Sequence, residues 1–589
     1  MFADTNLELL FHFCFFIEIQ AMIFTKYHRT IIFTLLSLVI FCIFYCSVID
    51  PPFHGYYTTD ENFVADSGVL LWYGNTPRGL DWPAAPSMLF YFIAFGISCL
   101  LTVIENLGNI HGLISVFECF DHQAYNYLTD REPFILLGRG FQILAVGLIL
   151  YQTTQIIYRQ NHYLLTDAVK FILPVLFITS TLVLDTTPVL RPEALSGNLF
   201  ILFLARVVFS EKLSTKDIII CSAIFGLILA ERLIFAFFLP FYLGAVFLMG
   251  NANRFRNILF SLLIIVVSFI LFCPFIISDT LVVMKSFVGG IIAKINDKPM
   301  GTFFNKEYIG IYFSNPVNIL ILILAGLGLM NLFKTRKAIY FLLAGNLFLF
   351  LFLVLRSSLI YDTHVLPAGV VTLFLVGLGL GFVVERFKGI GFKIALAIVI
   401  VIAATNITEA FTYHKGVHRK LNMHDARAWI LSLPSETRLL LNPEFEFYVP
   451  KSKNCLLREE ALNTDEQKMI KKLNYLLGRK AGMGVEGKDL PIIANAFAFE
   501  DERQYDAQYK ILIKYVSESK NKVYDYDIYY QSVELASHSV QTQEALKNFK
   551  DGKYEYMVTE TKIPGMEPIK VFDKAWGITF YVYSKPNQQ

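Results

Sequence analysis

Asp60 and Glu61 are adjacent carboxylates a short way beyond the first long apolar run of the chain, residues 30–48. Ile49-Asp50-Pro51-Pro52 precedes them, and Trp72-Tyr73-Gly74 and Leu80-Asp81-Trp82-Pro83-Ala84-Ala85-Pro86-Ser87 follow. Acids at a membrane edge are costly to desolvate and are functional candidates by default. Facing an aromatic, Pro-rich loop, such a pair has the chemistry of a general base awaiting an acceptor. The competing reading is a solvated loop turn, the ordinary fate of an Asp-Glu dipeptide.

The elements that must position this pair follow from composition. The chain has 589 residues, 55% of them hydrophobic and 17% charged, with 55 Phe, and its mean hydropathy is +0.51. These values describe a polytopic membrane protein. The net charge of +2 is uninformative about partners, and no basic run suggests nucleic acid, so none is expected as a partner. The eight Cys are scattered and form no Cys-x-x-Cys, so neither a zinc site nor a disulfide framework is expected. Residues 1–21 read as a start-site artefact or an interfacial helix, because Met22 opens a second plausible start.

Lys and Arg placement sets the expected topology. Lys26 and Arg29 hold the N-terminus in the cytoplasm, and residues 30–48 cross outward to a long outer loop, 50–133. Residues 87–104 are read as a helix lying in or dipping into the interface, since Tyr158-Arg159-Gln160-Asn161-His162 favours a cytoplasmic end for 134–157. The later segments then alternate: 168–187, 195–209, 217–230, 233–249, 257–277, 316–333, 338–355, 365–384 and 391–408. The expected fold class is thus a polytopic α-helical membrane protein of about eleven transmembrane helices plus interfacial helices. From 409 onward charge rises and apolar runs shorten to strand length at 438–441, 490–493, 509–513 and 577–583. Helical patterns fall near 422–433, 464–477 and 540–549. These features predict a C-terminal extracytoplasmic α/β domain, 409–589, after a cytoplasmic 1–29 and a transmembrane domain 30–408.

One span, then Asp60-Glu61, then Gly74 and Trp82-Pro83-x-x-Pro86 leading to an apolar helix, is an order that resembles the first outer loop of GT-C glycosyltransferases. The resemblance is to the branch holding protein O-mannosyltransferases and the lipid A aminoarabinose transferase, and it runs over most of 30–385. It implies a GT-C-like fold and an inverting transfer of sugar from a polyprenyl-phosphate donor to an acceptor on the outer face. Asp60 would be the general base, and Glu61 would orient it or bind the acceptor. Glu193, in Arg191-Pro192-Glu193-Ala194-Leu195, matches the family's second acid better than Asp185 does. The bland reading is that Glu193 simply opens a helix behind Pro192, favoured there by the dipole.

The same resemblance places the donor phosphate on Arg139, in Gly138-Arg139-Gly140, and on Arg232, at the tip of the 217–249 hairpin. Arginine pairs with phosphate bidentately, whereas snorkelling to headgroups is the alternative for each. In Arg356-Ser-Ser-Leu-Ile-Tyr361-Asp362-Thr363-His364, His364 falls where the family has Arg. Tyr361 and Arg356 compensate in this reading, and the alternative for His364 is a structural interfacial histidine.

No cofactor or metal is expected. His111, Glu118, Asp121 and His122 could be imagined as ligands, but an amphipathic surface helix produces the same pattern. Loop 278–315, with Lys285, Lys294, Lys298 and Lys306, reads either as a mobile cover over the donor or as a solvated loop. The expected partners are membrane lipids, a polyprenyl-phosphate sugar and an acceptor that the sequence does not name. The near absence of sequons, with only Asn406-Ile407-Thr408, and of disulfides points to a bacterial inner membrane, with the C-terminal domain periplasmic. A transporter, or an assembly factor with an outer binding domain, is the alternative. Against a transporter stand acids that cluster at outer edges rather than at the midplane, and halves that look unlike.

Overall fold

The computed structural model describes residues 28–49, 64–72, 84–105, 120–127, 132–250, 253–278, 316–354, 365–434, 437–442 and 546–585, with short gaps inside several of these stretches. The described chain is mostly helical. It opens with α1 (His28–Phe44), prolonged by a π-helical turn, Tyr45–Ile49. The helices α2 (Ala85–Glu105), α3 (Glu132–Arg159), α4 (Asp167–Ile178), α5 (Pro192–Val208) and α6 (Thr215–Glu231) follow. A 3-10 turn, Leu233–Phe238, leads to α7 (Leu239–Met249), then α8 (Arg254–Phe272), α9 (Pro316–Thr335), α10 (Lys337–Val354), α11 (Leu366–Arg386), α12 (Gly391–His418) and α13 (Leu421–Leu431).

Among the described residues, seven helices are long and apolar enough to cross a membrane: Ala85–Glu105, Pro133–Arg159, Asp167–Leu184, Arg254–Phe272, Pro316–Thr335, Leu366–Arg386 and Gly391–Ala410. Ala85–Glu105, expected to lie in the interface, is 21 residues long and meets the crossing criterion, so hydropathy and charge pull that segment in opposite directions. Apolar helices such as His28–Phe44, Leu233–Met249 and Lys337–Phe352 are shorter.

The chain divides into two compact units. The first comprises Met1–Tyr45, Leu80–Ser87 and Phe141–Phe411. Its helices start where local chemistry satisfies their free N–H groups. Ser214 and Asp217 form a reciprocal capping box on α6, Thr166 caps α4, and prolines open α5 and α11. Packing relies on small residues, as expected where lipid gives little hydrophobic drive between helices. A Cβ on Gly328 would run into the Leu375 carbonyl, and one on Gly379 into the Leu324 carbonyl, so α9 and α11 meet backbone to backbone. Gly377 and Gly381 instead make room for the side chains of Leu173 and Val169 of α4. Gly226 lets α6 approach α8, where Ser268 Oγ donates to the Ala223 carbonyl at 2.8 Å. Phe200, Phe203, Phe225, Phe235, Phe238 and Tyr242 fill the space among α5, α6 and α7 with edge and stacked ring contacts.

The second unit comprises Cys46–Gly79, Met88–Gly140 and Thr412–Gln589. Trp72 stacks on Phe92 at 4.3 Å between ring centres and donates its indole N–H to the Phe92 carbonyl at 2.7 Å. Gly96 leaves room for that indole, and Gly138 leaves room for the buried Tyr91. The C-terminal part holds a four-stranded mixed sheet in the order β1-β2-β4-β3: β1 (Leu439–Asn442), β2 (Tyr556–Thr559), β3 (Lys570–Phe572) and β4 (Phe580–Ser584). β1 runs parallel to β2 (Leu440 opposite Met557), β2 antiparallel to β4 (Val558 opposite Val582), and β4 antiparallel to β3 (Tyr581 opposite Val571). The two-residue alternation sends Leu439, Val558 and Val582 to Ala426 and Ile430 of α13. It sends Leu440, Met557 and Tyr583 to Phe549 and Tyr554 on the other face. The strands expected at 490–493 and 509–513 and the helix at 464–477 lie outside the described residues.

His162, in the turn between α3 and α4, is buried, and its Nδ1 accepts the Leu164 N–H at 3.2 Å. Burial first, then the nearby Arg336 guanidinium, pushes its pKa down to about 4, with Glu211 opposing. The unfolded chain would take up this proton near 6.5, so folding stability falls as pH drops from about 6.5 through 4. Asn in place of His162 keeps an acceptor for Leu164 and cannot titrate. The thermal midpoint of His162→Asn is therefore expected to fall less than that of the wild type between pH 7.5 and 4.5.

Candidate functional site

The helix α5 begins at Pro192, whose missing N–H costs nothing at that position, and Glu193 occupies its first turn. The bland reading of Glu193 as a helix-opening acid is therefore correct as geometry, but it is incomplete. Glu193 is 3% exposed, and its Oε1 accepts an ion-paired hydrogen bond from Arg232 Nη1. Its second oxygen, Oε2, has no hydrogen-bond partner among the described residues.

Arg232 follows the last residue of α6 and takes an extended conformation, φ −147° and ψ 115°, which turns the chain into the 3-10 segment. It is 8% exposed, so headgroup snorkelling does not describe it. The two residues expected in separate roles, acid and phosphate cation, thus form one buried pair. A carboxylate and a guanidinium taken out of water together are tolerable only when paired in this way.

Glu231, beside Arg232, is fully buried. Its Oε2 accepts the Ser87 backbone N–H at 3.1 Å and its Oε1 accepts the Ser87 hydroxyl. Ser87 is in the first turn of α2, where backbone N–H groups have no partner within the helix. The Glu231 carbonyl in turn accepts the Ala84 N–H at 3.0 Å. Ala84 has φ 45°, a left-handed conformation disfavoured for a residue with a Cβ. The stretch Ala84 to Ser87 therefore seats on the tip of α6. The sequence signal for Glu231 is an acid directly before Arg232 at the tip of an apolar hairpin.

The turn before α5 is shaped from α3. Gln142, fully buried, donates through Nε2 to the carbonyls of Thr187 at 3.2 Å and Val189 at 3.1 Å. Asp185 ends the helical turn Thr181–Leu184. Burial, with the Glu409 carboxylate adding and Arg191 opposing, pushes the Asp185 pKa up to about 6. Asn406, one turn before Glu409 on α12, donates to the Thr179 carbonyl at 3.0 Å.

Of the other expected site residues, Arg139 belongs to the second unit and is 1% exposed inside α3. Simple snorkelling is inconsistent with that burial. Asp60, Glu61, Arg356, Tyr361, His364, His111, Glu118, Asp121, His122 and loop 279–315 lie outside the described residues. Among the described residues no group of three or more His, Cys, Asp or Glu is arranged to hold a metal ion.

No protein-family model and no curated protein matches the chain. Two solved structures align with nearly all of it. ArnT from Cupriavidus metallidurans bound to undecaprenyl phosphate is 9% identical over 94% of this chain and 98% of its own, with a TM-score of 0.42. ArnT from the same organism in the apo state is 9% identical over 94% and 97%, with a TM-score of 0.43.

Removing one member of the Glu193–Arg232 pair leaves a buried charge uncompensated, at a cost of about 3–5 kcal/mol. Arg232→Ala alone is expected to lower the unfolding free energy in detergent by that order. Combined with Glu193→Gln it should cost less than the sum of the two single changes, which a double-mutant cycle would measure.

Proposed function

We propose that the protein is an integral-membrane, inverting glycosyltransferase that uses a polyprenyl-phosphate sugar. The observation carrying this reading is the buried Glu193–Arg232 pair, next to a Glu231 that binds the first turn of α2 at Ser87. An otherwise apolar protein keeps an acid and a guanidinium out of water together at a helix junction, and such groups in membrane proteins attend ions, protons or polar substrates. The order of motifs from Asp60 to Arg232 supplies the substrate class through the GT-C resemblance.

In this reading Asp60 takes the proton from an acceptor hydroxyl as that oxygen attacks the anomeric carbon of the donor. The new carbon–oxygen bond forms as the bond to the lipid phosphate breaks, and the electron pair leaves on the phosphate oxygen. One displacement inverts the anomeric centre. Phosphate is a good leaving group, so the protein chiefly orients and deprotonates the nucleophile. Glu61 orients Asp60 or binds the acceptor. Arg232 balances the phosphate's charge, and Glu193 sets the direction of its guanidinium. Arg139, Tyr361 and His364 are further donor-phosphate ligands. The transfer takes place on the periplasmic side of a bacterial inner membrane, the side to which a C-terminal α/β domain spanning 409–589 is also assigned.

The test is Asp60→Asn expressed at wild-type levels in a deletion strain, followed by mass analysis of glycolipids and glycoproteins. Loss of a general base predicts a decrease of about 10²–10⁴-fold in the sugar-bearing product. Unchanged glycosylation would remove Asp60 from the chemistry.

A further inference from the structure

We infer that Glu231 is a positioning residue, holding Arg232 in the orientation in which it grips Glu193 and meets the donor phosphate. This inference rests on the glycosyltransferase reading above. Glu231 is one peptide bond from Arg232, at the last position of α6 before the chain turns. A helix terminus frays unless something holds it, and this one leads directly into a 3-10 turn. Three contacts hold it. The side chain takes both the N–H and the hydroxyl of Ser87, and the main-chain carbonyl takes the Ala84 N–H. All three come from one four-residue stretch, 84–87, whose first residue adopts a strained φ.

The burial of Glu231 supports a specific role over a general one. It is fully buried, and a carboxylate is an expensive way to fill space in an apolar protein. A helix end could be covered by any apolar side chain. Two polar side-chain atoms are needed only to bind the N–H and the hydroxyl of Ser87 at once, which fixes α2's first turn and the α6 tip as one joint. The same joint carries the Glu193–Arg232 pair on its next residue. Loss of the clamp would free the Arg232 backbone and loosen its aim at an incoming phosphate.

Glutamine is the informative substitution. Its Oε1 accepts the Ser87 N–H, and its amide N–H₂ donates to the Ser87 Oγ, whose hydroxyl can rotate. Positioning therefore survives Glu231→Gln, whereas Glu231→Ala loses both bonds. Hydrogen exchange of the 84–90 amides in the full-length protein in nanodiscs is expected to rise about tenfold in Glu231→Ala, the scale of losing one buried hydrogen bond. Steady-state transfer should show a donor KM raised about tenfold with the acceptor KM unmoved, and Glu231→Gln should restore most of both. Ser87→Ala, which leaves Glu231, Arg232 and Glu193 in place, should give the same pattern at smaller amplitude, and it keeps the test open if Glu231→Ala fails to fold. Exchange at 84–90 unchanged in both Ala variants, or donor and acceptor KM moving together, would overturn the positioning role while leaving the glycosyltransferase reading intact. A wild-type protein that consumes no polyprenyl-phosphate sugar would overturn that reading instead, and the exchange result would still decide whether Glu231 holds the tip.

Discussion

A guanidinium and two carboxylates are buried within three helix termini of an otherwise apolar protein, and the first unit is arranged so that none of them stands alone. Arg232 and Glu193 neutralise one another, while both side-chain oxygens of Glu231 are satisfied by the N–H and hydroxyl of Ser87. The cost of a bare charge in such surroundings is far larger than the free energy of any single helix contact. The starts of α2 and α5 and the end of α6 must therefore meet where they do. The rest of the first unit keeps that junction rigid.

Rigidity comes from backbone proximity more than from apolar bulk. α9 and α11 meet backbone to backbone at Gly328 and Gly379, α6 and α8 do so at Gly226, and Gly377 and Gly381 of α11 make room for the Leu173 and Val169 side chains of α4. Polar side chains then fasten individual turns. Gln142 holds the Thr187 and Val189 carbonyls ahead of α5, Asn346 accepts the Phe241 N–H at the start of α7, and Arg336 closes the Val208 and Ser210 carbonyls at 2.6 and 2.8 Å. These contacts hold both ends of α5 and the start of α7 from other parts of the unit. A site made of helix termini needs this support, because termini are the parts of helices that fray.

Much of the helical pattern was legible in the sequence because apolar length and basic punctuation are local signals. The segment 85–105 was harder to place: its composition suits crossing, whereas the charge at 158–162 argues for the surface. Glu193 and Arg232 could each be singled out from their settings, Pro192 before one and an apolar hairpin around the other. That they bind each other was not legible, since they are 39 residues apart and neither sits in a repeating pattern. Ser87 and Ala84 looked like parts of a Pro-rich entry to a helix, and only the fold shows that they seat on Glu231. In the C-terminal part, β1 and β4 could be read from runs of Leu and of aromatic and β-branched residues. The strands β2 and β3 are four and three residues long, too short to carry an alternation. The parallel pairing of β1 with β2 joins segments more than a hundred residues apart, which no local signal encodes.

The central claim concerns chemistry at an anomeric carbon, and stereochemistry tests it most directly. Purified full-length protein, given a polyprenyl-phosphate sugar of known anomeric configuration and a membrane extract as acceptor source, should release free polyprenyl phosphate. It should also yield a product of the opposite configuration, read by NMR of the anomeric proton. Retention of configuration, or a donor left intact by protein that is folded and membrane-embedded, would contradict the account.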